Sequence, residues 1–127
     1  MRQLLLDTHV ALWALSSPSM LSPKVRAAIE DPRNTVLVSA VSVWEVAINK
    51  SAGKLTAPTG FAEECRGAGF DPLDITFEHA TAAGALPMHH ADPFDRMLIA
   101  QAIEERLELV SKDRVFADYE GIRLVAP

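Results

Sequence analysis

Five carboxylates carry the chemistry that this 127-residue chain could perform: Asp7, Glu45, Asp92, Asp95 and Asp113. If they converge, mutual repulsion raises their pKa values unless a cation sits among them. Oxygen-only ligands suit hard cations, so Mg²⁺ or Mn²⁺ is the expected occupant. A site of that kind favours phosphoryl chemistry, because the cation acidifies water, orients a phosphate and stabilises a leaving oxygen. Each acid also has a plainer reading. Asp7, Asp92 and Asp113 fit helix N-caps, and Asp95 is the third residue after a cap, where an acid meets the helix dipole. Glu45 fits that reading least. A capping box Ser42-Val43-Trp44-Glu45 would start its helix late and waste Ala40 and Val41. A helix beginning near Ser39 instead puts Ser42, Glu45 and Asn49 on one polar stripe among Val, Trp, Ala and Ile. A charge on a mostly buried helix needs a partner.

The elements that must position these acids alternate. Gln3–Leu6, Val36–Ser39 and Leu109–Ser111 are short, apolar on both faces and bounded by polar residues, as buried parallel strands are. Ile122–Val125 is a fourth candidate strand and Leu73–Ile75 a weaker fifth. Helices are predicted from Pro23 to about Glu30 with a Ser22 cap, over Ala40–Lys50, from Pro58 to about Arg66, and over Phe77–Ala83. The best helical signal runs from Pro93 to about Leu107, capped by Asp92. The alternation predicts a three-layer α/β/α sandwich, with right-handed crossovers, around a mostly parallel sheet of four to five strands. No linker divides 1–127, so one domain is expected. Ligands in such sheets bind beyond the carboxyl ends of the strands. Asp7 and Asp113 fall just past such ends, and Glu45 lies on the helix that follows one. Asp92 and Asp95 join them if the long helix starts at the same rim.

Composition narrows the classes. Forty-nine per cent of the chain is apolar, enough for a core of its own. Twelve Lys and Arg stand against seventeen Asp and Glu, a formal charge of −5, which argues against a passive electrostatic sheath for DNA. Taking the five candidate acids from seventeen leaves twelve, matching the bases, so the excess equals the proposed site. The single cysteine, Cys65, excludes an internal disulfide and a thiolate metal cage. An acid follows three leucines at the N-terminus, too soon for a signal peptide, and no apolar run reaches membrane-spanning length. A reducing, cytoplasmic setting is expected. His9, His79, His89 and His90 lack the spacing of a zinc site. His89-His90 reads as a surface pair beside a capped helix, touching substrate.

At these residues the sequence resembles a known family. Leu5-Leu6-Asp7-Thr8-His9, Ser39–Ala47 around Trp44-Glu45, His90-Ala91-Asp92-Pro93-Phe94-Asp95-Arg96 with Met97–Ala102, and Ser111-Lys112-Asp113 with Phe116 resemble PIN-domain ribonucleases. The closest likeness is to VapC-like toxins of bacterial type II toxin–antitoxin pairs, in order and over essentially the whole chain. Asp-Pro-Phe-Asp-Arg is the most specific part. Ser111 stands where the family often has Thr. The resemblance implies a Mg²⁺- or Mn²⁺-dependent endoribonuclease, a homodimer, and a cognate antitoxin whose tail fills the acidic groove. It implies metal ligation by Asp7, Glu45 and Asp95, completion of the site by Asp113, and an acidic position at Asp92.

Thr8 and Ser39 are expected to hydrogen-bond the carboxylates. Lys50, Lys54, Arg96, Lys112 and Arg114 are candidate phosphate contacts. RNA specificity is expected from the surface between about Leu55 and Leu86. Two other classes fit less well. A phosphoacceptor receiver domain needs an acid pair after the first strand and an acceptor Asp at a middle strand's end. Here Thr8 and His9 follow Asp7, and Val36–Ser39 ends without an acid. A haloacid-dehalogenase-type phosphatase needs Asp-x-Asp, and His9 holds the second place. An inactive interaction domain would have no need of the full acidic set.

Overall fold

Leu4, Leu5 and Leu6 are each at most 1% exposed, as a central strand covered on both faces requires. The computed structural model describes residues 1–53 and 60–127. Along it run β1 (Gln3–Leu6), α1 (Thr8–Ser16), α2 (Pro23–Glu30), β2 (Thr35–Ser39), α3 (Ala40–Ser51), α4 (Phe61–Gly67) and β3 (Asp71–Leu73). Then come α5 (Phe77–Ala85), α6 (Pro93–Glu104), β4 (Glu108–Val110) and β5 (Arg123–Val125), with short 3₁₀ turns at Pro18–Met20 and Arg114–Asp118. The five strands form one sheet in the order β3-β2-β1-β4-β5, and every pairing is parallel.

Side chains alternate across a strand, so β1 feeds two cores. Leu4 and Leu6 pack with Val10, Val25, Val36, Phe61 and Phe70 on one face. Leu5 packs with Leu98, Ile99, Ala102, Leu109 and Phe116 on the other. Val46 of α3 joins the first core and Val41 the second, so α3 spans the carboxyl rim of the sheet. At the opposite end of the strands, Arg2 grips Glu108 through Nε and Nη2, each at 3.0 Å.

The expected sandwich is present, and several boundaries move for physical reasons. α1 is a helix that the sequence patterning does not predict. Its residues, Thr-His-Val-Ala-Leu-Trp-Ala-Leu-Ser, are apolar almost all round, so no polar stripe marks a 3.6-residue period. The strand expected at Leu73–Ile75 lies at Asp71–Leu73. It is an edge strand, where Pro72 is tolerated without its N–H, and its exposure hides it from an apolar-run criterion. β4 begins at Glu108, whose charge Arg2 satisfies, and ends before Ser111. β2 starts one residue before the predicted Val36, and β5 one residue after the predicted Ile122.

α6 stops at Glu104 rather than about Leu107. Arg106 turns left-handed (φ 56°), and the Leu107 N–H returns to the Ala102 carbonyl at 2.8 Å, which buries Leu107 under the helix end. α5 runs to Ala85, past the predicted Ala83. α4 starts at Phe61 behind Gly60 (φ 83°) and ends at Gly67. The expected start at Pro58 lies outside the described residues, as do Lys54 and the first part of the surface expected to set specificity. No helix among the described residues is long and apolar enough to cross a membrane.

Candidate functional site

The carboxyl ends of β1 and β4, α3 and the start of α6 meet around one cleft of about 280 Å³. Asp7, Glu45, Asp92, Asp95 and Asp113 all line it, with Thr8, His9, Lys112 and Phe116. All five sequence-predicted acids are therefore brought together.

The capping reading of three of them also holds, and the two readings do not compete. Asp7 caps α1: its Oδ1 accepts from the Val10 N–H at 2.8 Å. Asp92 caps α6 with Oδ1, taking the N–H groups of Phe94 (2.8 Å) and Asp95 (3.2 Å). Asp113 caps the 3₁₀ turn, its Oδ1 accepting from Val115 at 3.0 Å. Each cap employs one carboxylate oxygen, Oδ1, and restricts the side chain's rotamer, while Asp113 Oδ2 meets His90 Nε2 at 3.0 Å.

Glu45 is held differently. Ser39 caps α3 through the Val41 N–H at 3.0 Å, so the helix starts at Ala40 and the late capping box is absent. Ser39 thus serves the helix rather than a cleft carboxylate, contrary to expectation. Thr8 behaves as expected: its hydroxyl donates to Glu45 Oε1 at 2.6 Å and lies 3.0 Å from Ser42 Oγ. The polar stripe of α3 therefore meets the first residue of α1.

Crowding shows in the acidities. Burial pushes the Asp95 carboxyl up to about 7; Asp92, Glu45 and Asp7 push it the same way, and His90 opposes them. Burial also raises Asp7, while Ser111, the Val10 N–H, His9 and Lys112 pull it partly back. A carboxyl raised in the folded state favours folding only while protonated. Its penalty is absent below the ordinary value of 3.8, grows as pH rises, and is complete above about 7. We expect Asp95→Asn to stabilise the cation-free protein at pH 8 by about 1–3 kcal/mol, a few degrees in Tm, and to change little at pH 4. Melting curves at the two pH values, taken in chelator, check this; an equal gain at both would remove the electrostatic account.

Two sequence expectations are corrected here. Arg96 is not a phosphate contact: its guanidinium donates to four carbonyls, those of Pro87 (3.0 Å), His90 (3.2 Å), Ala83 (2.9 Å) and Leu86 (2.9 Å). Nor are His89 and His90 a surface pair. His89 is exposed, with its ring edge-on to Tyr119 at 5.0 Å. His90 is half-buried inside the acidic group, its Nε2 3.0 Å from Oδ2 of both Asp95 and Asp113. The only signal for this in the sequence is its place two residues before the Asp92 cap. His79 is 1% exposed; it closes a capping box with Thr76, meets Glu105 at 2.8 Å and is not among the residues that line the cleft. Among the other candidate cations, Lys112 lines the cleft and lies over the Trp13 ring at 5.4 Å. Lys50 and Arg114 are exposed, outside the residues that line it.

The donor chemistry suits a hard divalent cation. Five carboxylates line the cleft, burial and then the neighbouring acids raise Asp95 to about 7, and no cysteine is among the lining residues.

The family model for the PIN domain matches residues 4–122. A ribonuclease of Mycobacterium tuberculosis, VapC22, is 36% identical over 122 residues, covering 90% of this chain and 89% of that protein. The crystal structure of DNA-bound VapBC from Salmonella typhimurium superposes with a TM-score of 0.71 at 19% identity, covering 99% of this chain and 98% of the other. VapBC-5 of M. tuberculosis, a member of the VapBC family of toxin–antitoxin systems, gives 0.58 at 17% identity with the same coverage. Both structural likenesses concern the fold.

Proposed function

The chain belongs to the PIN-domain family, and from that premise we propose that it is a Mg²⁺- or Mn²⁺-dependent endoribonuclease, the toxin of a type II toxin–antitoxin pair. The observation that carries this reading is the gathering of five carboxylates in one cleft at the carboxyl rim, with Asp95 raised to about 7. VapC22, named a ribonuclease, supports the reaction class, and the VapBC complexes support a cognate antitoxin as partner. A single PIN domain over 1–127, acting in the cytoplasm as a homodimer, completes the reading.

Asp7, Glu45 and Asp95 would hold the cation, with Asp113 and Asp92 completing the acidic wall. When bound, the cation supplies the positive charge that acidifies water and offsets charge gathering on an RNA phosphate. The chain's own part is placement. The cap bonds of Asp7, Asp92 and Asp113 fix three carboxylates from three different backbone segments, and Thr8 fixes Glu45 from a fourth. Lys112, at the cleft edge, is suited to draw in a phosphate. Water then attacks phosphorus in line with the departing ribose oxygen. Without a cation the same wall repels RNA.

Protein stripped with chelator should leave RNA intact, and adding back Mg²⁺ or Mn²⁺ should restore cleavage of single-stranded RNA. Cleavage that persists at full rate in excess chelator would sink the assignment.

A further inference from the structure

We propose that His90 is a positioning residue: its Nε2–H holds Asp113 beside Asp95 in the cleft, and it is not a ligand of the cation. The inference rests on the reading of the cleft as a divalent-cation site. The ring's orientation follows from its contacts. The Asp92 backbone N–H donates to Nδ1 at 3.2 Å, so Nδ1 presents its lone pair to the chain and the ring proton sits on Nε2. That nitrogen donates to Asp113 Oδ2 at 3.0 Å, and Asp95 Oδ2 lies alongside at the same distance. A nitrogen that carries a proton has no lone pair to give to a cation. Ligation through Nε2 would require the other tautomer, and with it loss of the Asp92 contact at the cap of α6.

The segment that delivers the ring is held at several points. The His90 N–H donates to the Tyr119 hydroxyl at 2.8 Å, and that hydroxyl donates to the Pro87 carbonyl at 2.9 Å. Tyr119 is 3% exposed, so this anchor is rooted in the second core. Arg96 binds the carbonyls of Leu86, Pro87 and His90, and the imidazole rests tilted against the Phe116 ring, centroids 5.7 Å apart. Asp95 belongs to α6, whereas Asp113 begins the turn after β4. His90 thus stands between two acids carried by separate elements, bonded to Asp113 and in contact with Asp95. A hydrogen-bond donor behind a ligating carboxylate fixes its orientation, and removing such a donor typically weakens cation binding about 10- to 100-fold.

Mn²⁺ titration of the whole chain, followed by calorimetry and by electron paramagnetic resonance, tests the inference. His90→Ala should weaken Mn²⁺ binding about 10- to 100-fold. His90→Gln keeps an N–H donor at similar reach and should bind within about threefold of wild type. Pulsed resonance on the Mn²⁺-loaded wild type should show no directly bonded ¹⁴N coupling that disappears in His90→Gln. A His90-dependent ¹⁴N coupling, or wild-type affinity in His90→Ala, overturns the inference. If His90→Ala does not fold, the spectrum of the wild type against His90→Gln still decides. A wild-type chain that binds no Mn²⁺ at all fails at the earlier step, the cation reading itself.

Discussion

Asp7→Asn should lower RNA cleavage by at least about 10²- to 10³-fold while leaving the fold intact. The substitution separates the two roles that meet at this residue. Asn is as good an N-cap as Asp, so its side-chain oxygen can still accept from the Val10 N–H that Asp7 Oδ1 now holds at 2.8 Å. What is lost is one negative charge at a position only 8% exposed, where water cannot replace it. Burial already raises the Asp7 carboxyl, so the neutral variant should melt no lower than the parent in chelator at neutral pH. Initial cleavage rates in saturating Mg²⁺ or Mn²⁺, set beside melting curves, measure both effects. Activity within tenfold of wild type would take Asp7 out of the active site. Loss of activity together with loss of the fold would mean that the cap, and not the charge, was removed.

Arg96 should show the reverse pattern, a large stability effect from a residue whose charge invites a nucleic-acid role. Arg96→Ala is expected to cost about 2–3 kcal/mol, because four carbonyls at 2.9–3.2 Å lose a shared donor at the end of α5 and along the segment to α6. Arg96→Lys should recover little of it. An ammonium is a compact point charge, and it cannot reach the two pairs of carbonyls that the planar guanidinium spans. Cleavage should fall with either substitution, since His90 and Asp92 ride on the same segment. Denaturant unfolding and RNA-binding titrations distinguish the outcomes: unchanged stability with weakened RNA binding would return Arg96 to the surface role that sequence alone suggested.

These two residues mark the limit of what patterning can read. All five acids of the cleft are legible, because each follows a strand end, opens a helix or, like Glu45, lies on the helix that leaves a strand end, and parallel topology sends those positions to one rim. Ambiguity between cap and ligand was intrinsic to the sequence. In three dimensions Asp7, Asp92 and Asp113 each cap a helix end through Oδ1 and also line the cleft, so capping does not remove a residue from the site. Arg96 reads as a phosphate contact in the sequence because a guanidinium looks alike there whether its partners are phosphates or backbone carbonyls. His90 reads in the sequence as one of a surface pair, because its bond to Asp113 crosses 23 positions of chain. α1 escaped notice because an evenly apolar helix has no periodic stripe.

The fold class, the mostly parallel sense of the strands and the set of cleft acids follow from local pattern: short two-faced apolar runs, capped helices, and acids at or just past the junctions. The tertiary structure alone decided how those acids are held, which cation is spent on the scaffold and which faces the cleft, and where His90 points. Local pattern is written in neighbours a few positions apart. Hydrogen bonds between α1 and α3, or between the segment before α6 and the turn after β4, depend on distances that exist only once the sheet has brought those segments together.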